Sequence, residues 1–177
     1  MSDVSDLRLI TSAHETRVAR FRRWGLIAIP LAAILFQVYV PLFSQFFQFL
    51  EMPLLVTVYF SLMRRDQVAG IFIGAGIGLL QDSLSHQPLG MFGIVKTLVG
   101  YFAASVGMRF DVDHVIIRFL LGFCFYGFHQ FFYWVLARAL LGQLVPFDVR
   151  QTLVIALLNA VVGISLFHFL DKLKERT

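Results

Sequence analysis

Residues 70–101 read GIFIGAGIGLLQDSLSHQPLGMFGIVKTLVGY. Two apolar segments flank a short polar loop, and glycines recur through both. Gly70, Gly74 and Gly78 stand four residues apart, so on a helix they form one bare stripe. In water each would weaken a helix by about 1 kcal/mol relative to Ala. In lipid a helix satisfies its own backbone, and small residues let a neighbouring helix approach closely. The stretch therefore predicts two membrane helices packed through glycine, within the chain or against a partner. Gly76, on the opposite side, predicts that the first helix is wedged between two neighbours. On the second helix Gly93, Thr97, Gly100 and Ala104 share one face at three- and four-residue spacing.

Composition excludes a soluble domain. The 177 residues are 58% hydrophobic and only 15% charged, with 20 Phe. Soluble domains are roughly half apolar and about a quarter charged. Several runs approach the roughly 20 apolar residues that cross a bilayer. One such run is compatible with a soluble core, but six imply an all-α, six-span polytopic membrane protein. The net charge of +4 does not indicate nucleic acid, because the basic residues flank the spans, where they set topology. Cys124 is the only cysteine, which leaves no disulfide or zinc framework, and it reads as a small packing residue.

Residues 1–23 are a basic tail with Arg17, Arg20, Arg22 and Arg23 at the membrane edge, where they set topology or, alternatively, dock on anionic membrane lipids or a cytoplasmic partner. The apolar run from Trp24 to Phe43 is too long for a signal peptide and reads as a retained first span, with Pro30 as a candidate bend. The second span is interrupted by Glu51 and Pro53. From Pro53 to Arg65 only about 20 Å of helix is available. Two geometries remain open: a helix continuing through a kink at Pro53, or an aromatic-rich segment Ser44–Glu51 lying along the interface. The third span runs from Val68 to about Ser83, the fourth from Leu89 to Met108, the fifth from Val115 to Leu141 and the sixth from Gln151 to Leu170. A short basic tail, residues 171–177, follows the membrane domain of residues 24–170. The N-terminus, the 64–67 turn, the 109–118 junction and the C-terminus together hold twelve of the fifteen Lys and Arg residues. That bias predicts both termini in the cytoplasm.

The candidate chemistry lies inside the spans. Asp82 ends the third span and Lys96 lies within the fourth, and charges at membrane depth mark paired or functional positions. The long stem of Lys96 could reach the Asp82 carboxylate. The competing expectation is an interfacial Asp82 with Lys96 snorkelling alone. Asp82, Ser83 and His86 are close enough to suggest metal ligands, but Pro88 ends the helix, and a capped loop explains them better. Arg118, Gly122, Tyr126, His129 and Tyr133 form one stripe, on which Tyr126, His129 and Tyr133 read as a proton relay or, more simply, as inter-helix hydrogen bonding. Thr152, Asn159 and Gly163 share a face of the last span. Asp82, Lys96, Tyr126, His129, Tyr133 and Asn159 are thus the candidate intramembrane polar site. No phosphate loop, nucleophile elbow or catalytic carboxylate pair is present, so neither enzyme activity nor a cofactor is expected.

Six short spans, Val58-Tyr59-Phe60 before Arg64-Arg65, then Gly74, Gly78-Leu79-Leu80-Gln81-Asp82, Pro88-Leu89-Gly90 and Leu98-Val99-Gly100-Tyr101 resemble the rod shape-determining protein MreD family. The specific part of the match covers residues 53–101. The resemblance implies a non-enzymatic subunit of the bacterial elongation machinery in the cytoplasmic (inner) membrane. Its partners would be an MreC-like protein, a RodA-like glycosyltransferase, a class B penicillin-binding protein and MreB filaments. The family fold is thought similar to the substrate-binding subunits of energy-coupling-factor transporters. That relation supplies the alternative, a vitamin binder with a polar cavity lined by Asp82, Lys96, His129 and Asn159.

Overall fold

The computed structural model of the chain describes residues 24–43, 45–85, 88–110, 112–143 and 146–173. The N-terminal basic tail, His86, Asp111 and the last four residues lie outside them. The described residues form helices and no strands. Helix α1 spans Gly25–Tyr39 and is followed by two 3-10 turns, Val40–Leu42 and Gln45–Phe49. The remaining helices are α2 (Met52–Arg64), α3 (Gln67–Leu84), α4 (Met91–Arg109), α5 (Val115–Leu141) and α6 (Val149–Lys172). Six helical segments are long and apolar enough to cross a membrane, the second being Phe46–Arg64 with its short 3-10 turn.

Local chemistry sets the boundaries. Asp66 caps α3 by accepting from the Val68 N–H, and Asp148 caps α6 by accepting from Gln151. Arg65, Gly90 and Gly142 adopt positive φ at the end of α2, the start of α4 and the end of α5. Pro53 sits in the first turn of α2, where its missing N–H removes no helical bond. The second span is therefore not one kinked helix. It is a 3-10 turn, a break at Leu50–Glu51, and a separate helix of about 20 Å. Helix α6 continues through Lys172, so Asp171 and Lys172 belong to the bundle and not to the tail.

Helix α2 is the centre of the molecule. Every residue from Pro53 to Met63 is buried, and the helix packs against all five others. A helix apolar all round has no lipid face to present, so it is surrounded by protein. Tyr59, Phe60, Leu54, Leu55 and Leu62 fill the core around it.

The α3–α4 pair is the closest packing in the fold. A Cβ added at Gly70 would fall on the carbonyl of Gly100, one at Gly74 on that of Lys96, and one at Gly78 on that of Phe92. Gly93 faces Leu79 and Asp82 across the same seam, and Ala104 lies beside Gly70. The glycine faces meet each other inside the chain. Gly76 does not behave as expected: nothing lies within 4 Å of its Cβ position. It belongs to an exposed stripe with Val68, Phe72 and Leu80, so α3 is packed on one face and open on the other. Cys124 is likewise exposed and is not a packing residue. Helical spacing assigns a direction to each residue, but it does not say which directions hold a neighbour.

Candidate functional site

Counted from the end where Arg64 and Arg109 lie, one level of the bundle is polar. Gln37 on α1, Glu51 at the start of α2, Lys96 on α4, His129 on α5 and Asn159 on α6 each stand roughly 12 to 14 residues in. That is about 20 Å of helix. Asp82 of α3 lies slightly further out. Lys96, His129 and Asn159 are completely buried. Each of the six helices thus brings one polar side chain to, or close to, the level where α2 begins.

The break before α2 explains part of this layer. Its free backbone groups lie inside the bundle, where water cannot satisfy them. Asn159 serves two of them: its Oδ1 accepts the Glu51 N–H at 2.8 Å, and its Nδ2 donates to the Phe49 carbonyl at 2.7 Å. The same Nδ2 also donates to Ile155 O at 3.0 Å. The Gln37 Oε1 accepts the Met52 N–H at 3.3 Å. An amide side chain supplies both a donor and an acceptor, which is what an interrupted helix requires.

Lys96 occupies the other half of the layer. Its ammonium lies 3.8 Å from Glu51 Oε2 and 3.4 Å from His129 Nε2. It also sits 4.4 Å from the centroid of the Phe92 ring, in a cation–π position. Phe92 stacks on His129 at 5.9 Å and on Tyr133 at 5.1 Å. An ammonium, a carboxylate and three stacked rings, one of them an imidazole, therefore form one unit. A lone charge at this depth would cost about 3 kcal/mol, and pairing offsets that cost.

Asp82 is not the partner of Lys96. Its Oδ2 accepts from the N–H groups of Gly90 at 2.9 Å and Gly93 at 3.0 Å, and its Oδ1 accepts from Phe92 at 3.0 Å. These are free amides at the start of α4, where a carboxylate also meets the positive end of the helix dipole. Asp82 therefore closes the α3–α4 hairpin from α3. Among the described residues no three His, Cys, Asp or Glu side chains could hold a metal ion.

The structure brings Lys96, His129 and Tyr133 together and places Asn159 against the backbone of Phe49 and Glu51. Tyr126 is buried one turn from His129 toward the Arg118 end, and Asp82 is a separate cap. Glu51, Gln37 and Phe92 were not anticipated from the sequence, where Glu51 reads only as an interruption of a span. A second buried network was also missed. Arg118 Nη1 donates to Asp171, its Nε donates to Val112 O at 2.7 Å, and Tyr59 Oη donates to the same Asp171 carboxylate at 2.8 Å. This network joins α2, α5 and α6 near their Arg64 end.

A family model described as rod shape-determining protein MreD matches residues 18–176. The chain belongs to the MreD family. The match extends beyond the 53–101 stretch that carries the resemblance in the sequence, and it includes every helix described above. This MreD-family chain is thus a rod-shape-determining, multi-pass membrane protein. No curated protein and no solved structure matches the chain, so likeness to energy-coupling-factor subunits stays an implication of the family resemblance.

Proposed function

We propose that the chain is a non-enzymatic scaffold of the bacterial cell-elongation complex, linking an MreC-like protein, the MreB cytoskeleton and the peptidoglycan synthases in the inner membrane. The MreD match over residues 18–176 carries this reading. In the proposed orientation both termini and the Arg64–Arg65 turn face the cytoplasm, as the basic-residue bias predicts.

The polar layer supports a scaffold over a vitamin binder. A binding cavity needs polar groups free to orient a ligand. Asn159 is engaged with backbone at the α2 break, and Asp82 with backbone at the start of α4. The cavity of about 230 Å³ beside Tyr133 is lined by Gln130, Trp134 and Thr152 and by none of Asp82, Lys96, His129 or Asn159.

Depletion in a rod-shaped host should round the cells and release the MreC-like protein from the purified complex, with no new nutritional requirement. A vitamin auxotrophy in cells of normal shape would overturn the proposal.

A further inference from the structure

The Arg64 end of the bundle carries a groove that the polar layer does not explain. It holds about 360 Å³ between α3 and α4. Tyr101, Phe102, Val106 and Phe110 make its apolar walls, and Gln67, Ser105 and Arg109 make its polar rim. The rim is ordered: Gln67 Nε2 donates to Ser105 Oγ at 2.8 Å, and Ser105 Oγ donates to the Tyr101 carbonyl at 2.8 Å. Arg109 is the one charged residue in the lining, and it is exposed.

Two more arginines stand at this corner. Arg64 ends α2 and Arg65 follows it, three and two residues before Gln67 of the groove rim. Among the described residues none of Arg64, Arg65 and Arg109 makes an ion pair. Arg118, by contrast, is held by Asp171 and Asp113. The adjacent carboxylate, Asp66, accepts from the Val68 N–H at the start of α3. Guanidinium groups with no ion pair among the described residues, beside an apolar groove at the end of membrane-crossing helices, complement a molecule with a negative head and an apolar tail. Guanidinium groups suit phosphate in particular.

We propose that this corner is a binding site for an anionic phospholipid, with its phosphate at Arg109, further attraction from Arg64 and Arg65, and part of an acyl chain along Phe102 and Val106. The site requires only that the chain lies in a membrane. It does not depend on the proposed role in elongation. In the orientation proposed above it faces the cytoplasmic leaflet, where anionic lipid is concentrated.

Native mass spectrometry of the full chain, purified in detergent and titrated with phosphatidylglycerol or phosphatidylcholine, tests the site. The wild-type chain should retain phosphatidylglycerol in preference to phosphatidylcholine. Arg109→Gln should weaken that retention about fivefold, the effect of one juxtamembrane arginine, and Arg109→Lys should restore most of it. Val106→Trp, which fills the groove and keeps the charge, should also lower it. Arg150→Gln, an exposed arginine at the other end of the bundle, should leave it unchanged. Equal retention of the two lipids, or equal losses from Arg109→Gln and Arg150→Gln, would overturn the assignment. So would full retention by Arg109→Gln or by Val106→Trp.

Discussion

Replacing Asn159 with Leu should destabilise the bundle well beyond a loss of packing. The two side chains have the same number of heavy atoms and the same branching, so Asn159→Leu leaves no cavity and removes the polar atoms. In the native chain those atoms satisfy the Glu51 N–H and the Phe49 carbonyl, at 2.8 and 2.7 Å. Both groups belong to the break before α2, and among the described residues neither has another partner. Inter-helix hydrogen bonds in membranes average about 0.6 kcal/mol, because an unfolded side chain finds other partners in the bilayer. Here the orphaned groups are buried backbone, and leaving each unsatisfied costs about 1–3 kcal/mol. For the two groups together the expected loss is about 2–6 kcal/mol. Equilibrium unfolding of the purified chain in mixed detergent micelles measures it. Hydrogen exchange localises it: exchange should rise in a peptide containing Phe49–Met52 and stay level across the α3–α4 hairpin. A change in unfolding free energy under about 0.5 kcal/mol, with exchange at the break unaltered, would refute the assignment of Asn159 as the support of the interrupted span.

Gly74→Ala and Gly78→Ala should each cost about 1–3 kcal/mol by overpacking against the α4 backbone, whereas Gly76→Leu should be close to neutral, all read in the same unfolding assay; similar effects at the three sites would contradict the packing. Lys96→Met should cost about 3 kcal/mol because it leaves the half-buried Glu51 carboxylate without its partner, and Lys96→Met with Glu51→Gln should recover much of that loss. Additive losses in that pair would show that the two groups do not interact. In a Cys124→Ala background, a membrane-impermeant thiol reagent applied from outside should label a cysteine at position 86 and not one at position 67; the reverse pattern would invert the proposed topology.

The six spans were legible because lipid imposes a length and a composition that few other constraints imitate. The glycine face was legible because spacing alone places Gly70, Gly74 and Gly78 on one line. What they face was not, since the meeting with Phe92, Lys96 and Gly100 depends on how the hairpin closes. The partner of Lys96 was not legible, because Asp82 is near in sequence and similar in depth, and a lone snorkelling Lys96 fits the same sequence. Asp82 is instead taken up by three amides at the start of α4, and Glu51, remote in sequence, is brought to Lys96 by the shortness of α2. The Tyr59–Arg118–Asp171 network was hidden for a similar reason. A basic residue at a span end looks the same in sequence whether it faces the aqueous boundary or is held inside by an acidic residue on another helix.

The break before α2 also sets a timetable for the newly made chain. Its support, Asn159, follows Glu51 by 108 residues, so for roughly 5 to 20 s of synthesis the second span is in place without it. Throughout that interval the interrupted backbone must be shielded by something other than its final partner, whether the insertion machinery or earlier spans. The sixth span thus works as a latch that is closed last, and a chain released before that point would retain five of its membrane segments while lacking the residue that secures the innermost one.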